Sequence, residues 1–156
     1  LRWGPVGGWT EVPGTRFQGN NGILVSPDGT RLYVNEYMNS RVHEVPLAGA
    51  TTPPRSVNLG FHPDNVRFAP DGSILATGHP NSVAVVGLCG FVLKRGIGTE
   101  VARIDPATFQ ATTLFERGAN ETFSAGTSAI IVGDELWIGS FVSRALLIVP
   151  LSELRQ

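Results

Sequence analysis

Hydrophobic positions in this chain fall into short runs, several of them alternating with polar residues, and each run is closed by glycine, proline, asparagine or aspartate. That punctuation predicts many brief β-strands joined by tight turns and leaves little room for long helices. Residues 23–26 run into a turn at Pro27, Asp28 and Gly29, 31–35 return, and 41–45 make a third strand. Residues 66–69 and 73–77 form a second hairpin around Pro70, Asp71 and Gly72, with a further strand expected at 83–86. Residues 100–104 and 111–115 read as an antiparallel pair flanking the turn at 105–108. The third unit comprises 128–132, a Gly133-Asp134 turn, 135–139 and 145–149, after which 151–156 have room for one helical turn.

The first two hairpins are copies of one another. Pro27, Asp28 and Gly29 recur as Pro70, Asp71 and Gly72, 43 positions on, and Leu32 recurs as Leu75. Short strands repeating at that period are the mark of a β-propeller blade. The fold class expected is all-β, a propeller of four-stranded antiparallel blades, with about three blades in this sequence. The approximate blades are 19–50, 61–118 and 124–150, within one partial propeller domain covering 1–156.

Hairpin geometry then places side chains. Asp64 opens an outgoing strand, Asp71 and Gly72 turn it, and His79 closes the returning one, so Asp64 and His79 belong at the same end of the blade. By the same count Asn21 and Glu36 share that end in the first unit, and Thr127, Ser140 and Phe141 share it in the third. If the first strand of each unit is innermost, Asn21 and Asp64 point at a common axis. The bland alternative for Asn21, Asp64 and Asn65 is turn capping through local hydrogen bonds. For Glu36 it is a solvated surface carboxylate, and for His79 a hydrogen-bonded structural role. His43 and His62 are not placed comparably, and Trp3, Trp9 and Trp137 read as core or edge packing.

Composition narrows the chemistry. Twelve basic and 13 acidic residues give a formal net charge of −1 with no run of like charge, so no nucleic-acid partner is expected. The apolar stretch 83–93 is too short to span a bilayer, and no membrane partner is expected. The single cysteine, Cys89, excludes an intramolecular disulfide and reads as a small buried hydrophobe. The Asn120-Glu121-Thr122 sequon is a chance match by default. No Gly-x-Ser-x-Gly elbow is present, which argues against a serine esterase. No basic start with an apolar core and small-residue cleavage site opens the chain, and its compartment is open.

The strings Asn21-Gly-Ile, Pro63-Asp-Asn-Val, Gly78-His-Pro-Asn and Gly-Asp-Glu-Leu-Trp-Ile-Gly139, spread over residues 19–150, resemble the calcium-dependent six-bladed propellers of the paraoxonase/arylesterase group. The gluconolactonase/regucalcin group is a more distant relative. The resemblance implies that Asn21, Asp64 and Asn65 are calcium ligands and that His79, the candidate catalytic residue, and Phe141 belong to the active-site wall around a small lactone or ester substrate; Glu36, from its shared end of the blade, is a further candidate for substrate contact. It implies metal-assisted hydrolysis, since calcium takes oxygen ligands and polarises a carbonyl. It covers only the second half of the family's chain, making these three blades half of a six-bladed ring, so the blades carrying the remaining ligands and a histidine pair are not in this sequence. Either a homodimer closes the ring from two halves, or the chain belongs to a longer protein, or it is a remnant kept as a binding module. A non-catalytic interaction scaffold and a metal-free strictosidine-synthase-like propeller, with Glu36 as its acid, are the competing functions.

Overall fold

The computed structural model describes residues 1–48, 53–81, 83–93 and 96–154; the side chains of 89–91 and 93, Cys89 among them, lie outside that description. Among the described residues the chain is all-β apart from one helical excursion and a terminal turn. A small hairpin of β1 (Arg2–Gly4) and β2 (Gly8–Thr10) precedes the blades. Trp3 and Trp9 pair across it and are exposed, so these two indoles are surface groups rather than core.

Three antiparallel sheets follow in chain order. The first holds β3 (Asn20–Val25), β4 (Arg31–Glu36), β5 (Arg41–Pro46) and β6 (Arg55–Asn58). The second holds β7 (His62–Phe68), β8 (Ile74–His79), β9 (Thr99–Ile104) and β10 (Ala111–Arg117). The third holds β11 (Gly126–Val132), β12 (Glu135–Ser140) and β13 (Leu147–Pro150). Sequential antiparallel order in each sheet is the blade topology expected from the sequence. Leu151–Glu153 form a closing 3₁₀ turn.

The two repeated turns are built alike. In each, an aspartate carboxylate accepts hydrogen bonds from the backbone N–H and the hydroxyl two residues on: Asp28 from Thr30 at 3.0 and 2.9 Å, Asp71 from Ser73 at 3.0 and 2.6 Å. The intervening glycines adopt φ of 71° and 83°, the left-handed region that disfavours a Cβ.

One strand in the second unit is a correction. Residues 83–86 are helical: α1 (Val83–Val85) passes into a π-helix, Val86–Leu93, and the third strand of that blade is β9 instead. The reason is topological. Both edges of β8 are occupied, by β7 and β9, so the intervening apolar segment has no strand to pair with.

Two buried clusters hold the blades together. Tyr33, Val42, Val66, Ile74 and Ile104 pack blade one on blade two, and Leu75, Val101, Ala129, Leu136 and Ile138 pack blade two on blade three. At the outer rim, Arg55 bonds both oxygens of buried Glu44, at 3.2 and 2.8 Å, and the carbonyls of Pro106 and Ala107, each at 2.8 Å. Its guanidinium also lies 4.9 Å from the centre of the Phe109 ring. At the inner rim a Cβ added to Gly22 would stand 2.5 Å from the Asp64 carbonyl oxygen and 2.7 Å from the Asn65 Cα. The first blade therefore touches the second through bare backbone.

Apolar side chains are exposed on the first and last blades. Ile23 and Val25 are 60% and 49% exposed on β3. On the third blade Ile130, Trp137 and Ile148 lie in register across the sheet, and both isoleucines are exposed.

Gly22→Ala should cost about 1–3 kcal/mol, the range for forcing an extra methyl into packed backbone. Gly118→Ala, where a Cβ meets nothing within 4 Å, is the neutral control. Urea unfolding of both variants measures the difference; equal midpoints would show that the close contact is not a constraint.

Candidate functional site

Inner strands β3, β7 and β11 start at one end of the blades, and β4, β8 and β12 return to it. Pairing of Asn20 with Glu36, His62 with His79 and Gly126 with Ser140 marks that common end. A pocket of ≈ 470 Å³ opens there. Four residues expected from the sequence, Asn21, Asp64, His79 and Phe141, line it together. Tyr37 lines it too, and Val83, Val86 and Gly87 of the helical excursion form an apolar wall.

Asp64 is the electrostatic centre. Burial raises its pKa to about 6, against an opposing hydrogen bond from the Asn21 side chain. Asn65 Nδ2 donates to Asp64 Oδ1 at 3.1 Å and to the Thr127 carbonyl of β11 at 3.0 Å. Asn35, buried one strand back, donates to the Asp64 carbonyl at 3.0 Å and leaves its own Oδ1 buried without a partner among the described residues. Asn21, Asp64 and Asn65 thus form one hydrogen-bonded group.

That group suits a hard cation in kind. One carboxylate with neighbouring carboxamides is an oxygen donor set appropriate to calcium and unlike a zinc site. In number it falls short of the six to eight ligands calcium takes. Among the described residues no cluster of three or more His, Cys, Asp or Glu side chains is arranged for a metal.

His79 is only 1% exposed. Burial, with a lesser contribution from His62, lowers its pKa to about 4, so the ring is neutral near pH 7. Its Nδ1 lies 3.0 Å from the Tyr37 hydroxyl, and Phe141 meets the ring edge-on at 5.8 Å. Burial, and after it the charge of Asp64, pushes the Tyr37 hydroxyl up to about 12.

His62, expected from the sequence not to be placed comparably with His79, is a correction: it stacks on Tyr37 at 5.3 Å, and its Nδ1 lies 2.7 Å from the Tyr37 carbonyl. The count that put His79 beside Asp64 also puts His62 there, because the two histidines are direct cross-strand partners. Tyr37 carried no such signal, since it follows β4 in a turn and reaches the site only through tertiary contacts.

Glu36 stands at the same end but is turned away. Buried rather than solvated, its carboxylate accepts hydrogen bonds from the Gln18 N–H at 2.9 Å and Asn39 at 2.7 Å, and sits 2.8 Å from His43 Nε2. Burial opposes its charge, yet these partners outweigh burial and hold its pKa low. It is not among the residues lining the pocket.

The Asp64 shift has a measurable sign. A carboxyl whose folded-state pKa is raised contributes stability that is fully present below its ordinary value of 3.8 and lost as pH rises through about 6. Asp64→Asn removes that dependence while keeping an oxygen for Asn65. In chelator, the variant should be more stable than the parent at pH 7.5, and its advantage should vanish by pH 4. Denaturant unfolding across that range checks it; a pH-independent difference would mean that the Asp64 carboxyl is not perturbed.

The fold is shared with proteins of diverse chemistry. Virginiamycin B lyase from Staphylococcus aureus superposes with a TM-score of 0.56 at 15% identity, covering 92% of this chain and 42% of its own. For the hydrazine synthase of Kuenenia stuttgartiensis the values are 0.55, 15%, 93% and 37%. For the periplasmic gluconolactonase of Pseudomonas aeruginosa they are 0.55, 14%, 93% and 40%. At such identities the likeness establishes architecture alone. This chain spans about two fifths of the length of these propellers. No curated protein matches it. The arylesterase family pattern, in contrast, matches residues 11–149, nearly the whole sequence, and the chain belongs to the arylesterase family.

Proposed function

We propose that this chain is a calcium-assisted hydrolase of lactones or aryl esters, working at the pocket shared by Asn21, Asp64, His79 and Phe141. The observation carrying the reading is the hydrogen-bonded group of Asn21, Asp64 and Asn65, of which Asn21 and Asp64 line that pocket and Asn65 stands behind them. Asn21, Asp64 and Asn65 would hold the ion through oxygen atoms. Bound calcium would polarise a carbonyl and favour ionisation of a water. Val83, Val86 and Phe141 would receive the apolar part of an ester or lactone and exclude bulk water, while His79, neutral and almost wholly enclosed, would act through its contact with Tyr37. The strictosidine-synthase-like alternative loses support, because the Glu36 carboxylate it requires is engaged by Gln18, Asn39 and His43.

Three ligand residues leave a calcium shell open, and blades one and three leave apolar surface open. We propose that a second copy completes both. A two-fold axis along the pore would set the first blade of each copy against the third blade of the other, repeating the blade-on-blade packing seen inside the chain.

Asp64→Ala should abolish calcium binding by calorimetry. It should also lower kcat/KM for phenyl acetate by more than the ~10–100-fold loss typical of an outer-shell partner. Hydrolysis that survives both chelator and this substitution would sink the metal role. In sedimentation velocity at micromolar concentration, a dimer that loosens on chelation supports the shared ring. A monomer indifferent to calcium would overturn it and point to further blades in a longer chain.

A further inference from the structure

The residues around His79 carry more than a wall position. The ring has two nitrogens and two kinds of neighbour. Nδ1 faces the Tyr37 hydroxyl at 3.0 Å. Nε2 is buried and makes no well-formed hydrogen bond among the described residues, and the remaining polar groups acting on the ring are the backbones of Ala125 and Gly126, which act as acceptors do. Ala125 sits in the left-handed region at φ 55°, a conformation rare for a residue with a Cβ, at the point where the chain turns into β11. A ring nitrogen has one in-plane hydrogen-bonding direction, and at Nδ1 the Tyr37 hydroxyl occupies it, so these backbone acceptors fall to Nε2 and favour a proton there. Nδ1 is then an acceptor, and the Tyr37 hydroxyl must donate to it.

The Tyr37 proton is thereby committed, and what the phenol oxygen has left is lone pairs. His62 fixes the rest of Tyr37: its ring stacks on the phenol, and because a carbonyl can only accept, His62 Nδ1 carries the hydrogen of the 2.7 Å contact to the Tyr37 backbone. Tyr37 is clamped at its hydroxyl, its ring and its backbone, and it lines the pocket beside Asp64. His79, by contrast, is almost wholly enclosed.

We propose that Tyr37 is the residue that orients the attacking water or a donor group of the substrate, and that His79 is a positioning residue that holds the Tyr37 proton so that the phenol oxygen meets the pocket as an acceptor. The substrate-contact half of this assignment rests on the hydrolase reading. The positioning half rests on geometry alone.

Two measurements separate the halves. Nitrogen NMR of histidine-labelled protein, with His79 identified by its loss in His79→Asn, should show the His79 proton on Nε2, and Tyr37→Phe should shift that resonance while the fold is retained. A proton on Nδ1, or a spectrum unmoved by Tyr37→Phe, overturns the positioning role whether or not the protein hydrolyses anything. In calcium, Tyr37→Phe and His79→Leu should each lower kcat/KM for phenyl acetate about tenfold or more, and the double variant should lose no more than either. His79→Asn, which keeps an acceptor close to the Nδ1 position, should retain activity within about threefold of the parent. If His79→Asn is as impaired as His79→Leu, the imidazole acts directly and the assignment fails. If the parent itself is inert toward phenyl acetate and dihydrocoumarin, the hydrolase reading and the substrate-contact half fall together, and the ring-nitrogen result alone decides the positioning half.

Discussion

The structure turns on how closely the inner strands approach one another at the head of the pore. Gly22 has no side chain, and the space a methyl would need is filled by the Asp64 carbonyl and the Asn65 backbone. At the head of the third blade Gly126 leaves room instead for a side chain of β9, and a Cβ there would stand 2.3 Å from the Thr99 Cγ2. With the strand heads in backbone contact, the polar side chains beside them are brought together without reaching. Asn21 meets Asp64, and Asn65 spans from Asp64 to the Thr127 carbonyl of the next blade. The site is a by-product of tight packing at the narrow end of the wedges.

Such an arrangement concentrates polar groups where water is partly excluded, and the perturbed side chains reflect it. Asp64 and Tyr37 are both shifted upward and His79 downward, each with burial as the first cause. All three shifts favour the neutral form. Without a cation, the pocket is a region that resists charge; with one, the same burial strengthens every attraction to it. The apolar wall of the helical excursion extends this character outward.

Local chemistry made part of this legible from sequence alone. Asp28 and Asp71 announce their hairpins because an aspartate followed by glycine and a hydroxyl residue closes its own turn, with no help from the rest of the chain. Counting outward from those turns, and from the Gly133-Asp134 turn of the third unit, located Asn21, Asp64, His79 and Phe141 at one end. What stayed hidden depends on partners distant in sequence. Residues 83–86 are apolar and, apart from Ala84, β-branched, and a strand and a buried helix look alike in so short a run; the occupied edges of β8 decided the matter. The polar strand β6 shows no alternation and exists because β5 offers it an edge, while Arg55 ties it to Glu44. Tyr37 joins the site through contacts that no spacing rule anticipates, His62 was within reach of the count as the cross-strand partner of His79, and Glu36 is diverted by a backbone N–H from residue 18.

Arg55 and Gly22 secure the same pair of blades from opposite rims, one with a fan of charge-assisted bonds, the other by having nothing in the way. Together they fix the dihedral opening between adjacent sheets, much as two hinges on one door fix its plane. Curvature in a ring of repeats accumulates from each such opening. The number of sectors that bring the circle round is thus written into one inter-blade joint, so that any added sector, whatever chain it comes from, inherits the arc already set here.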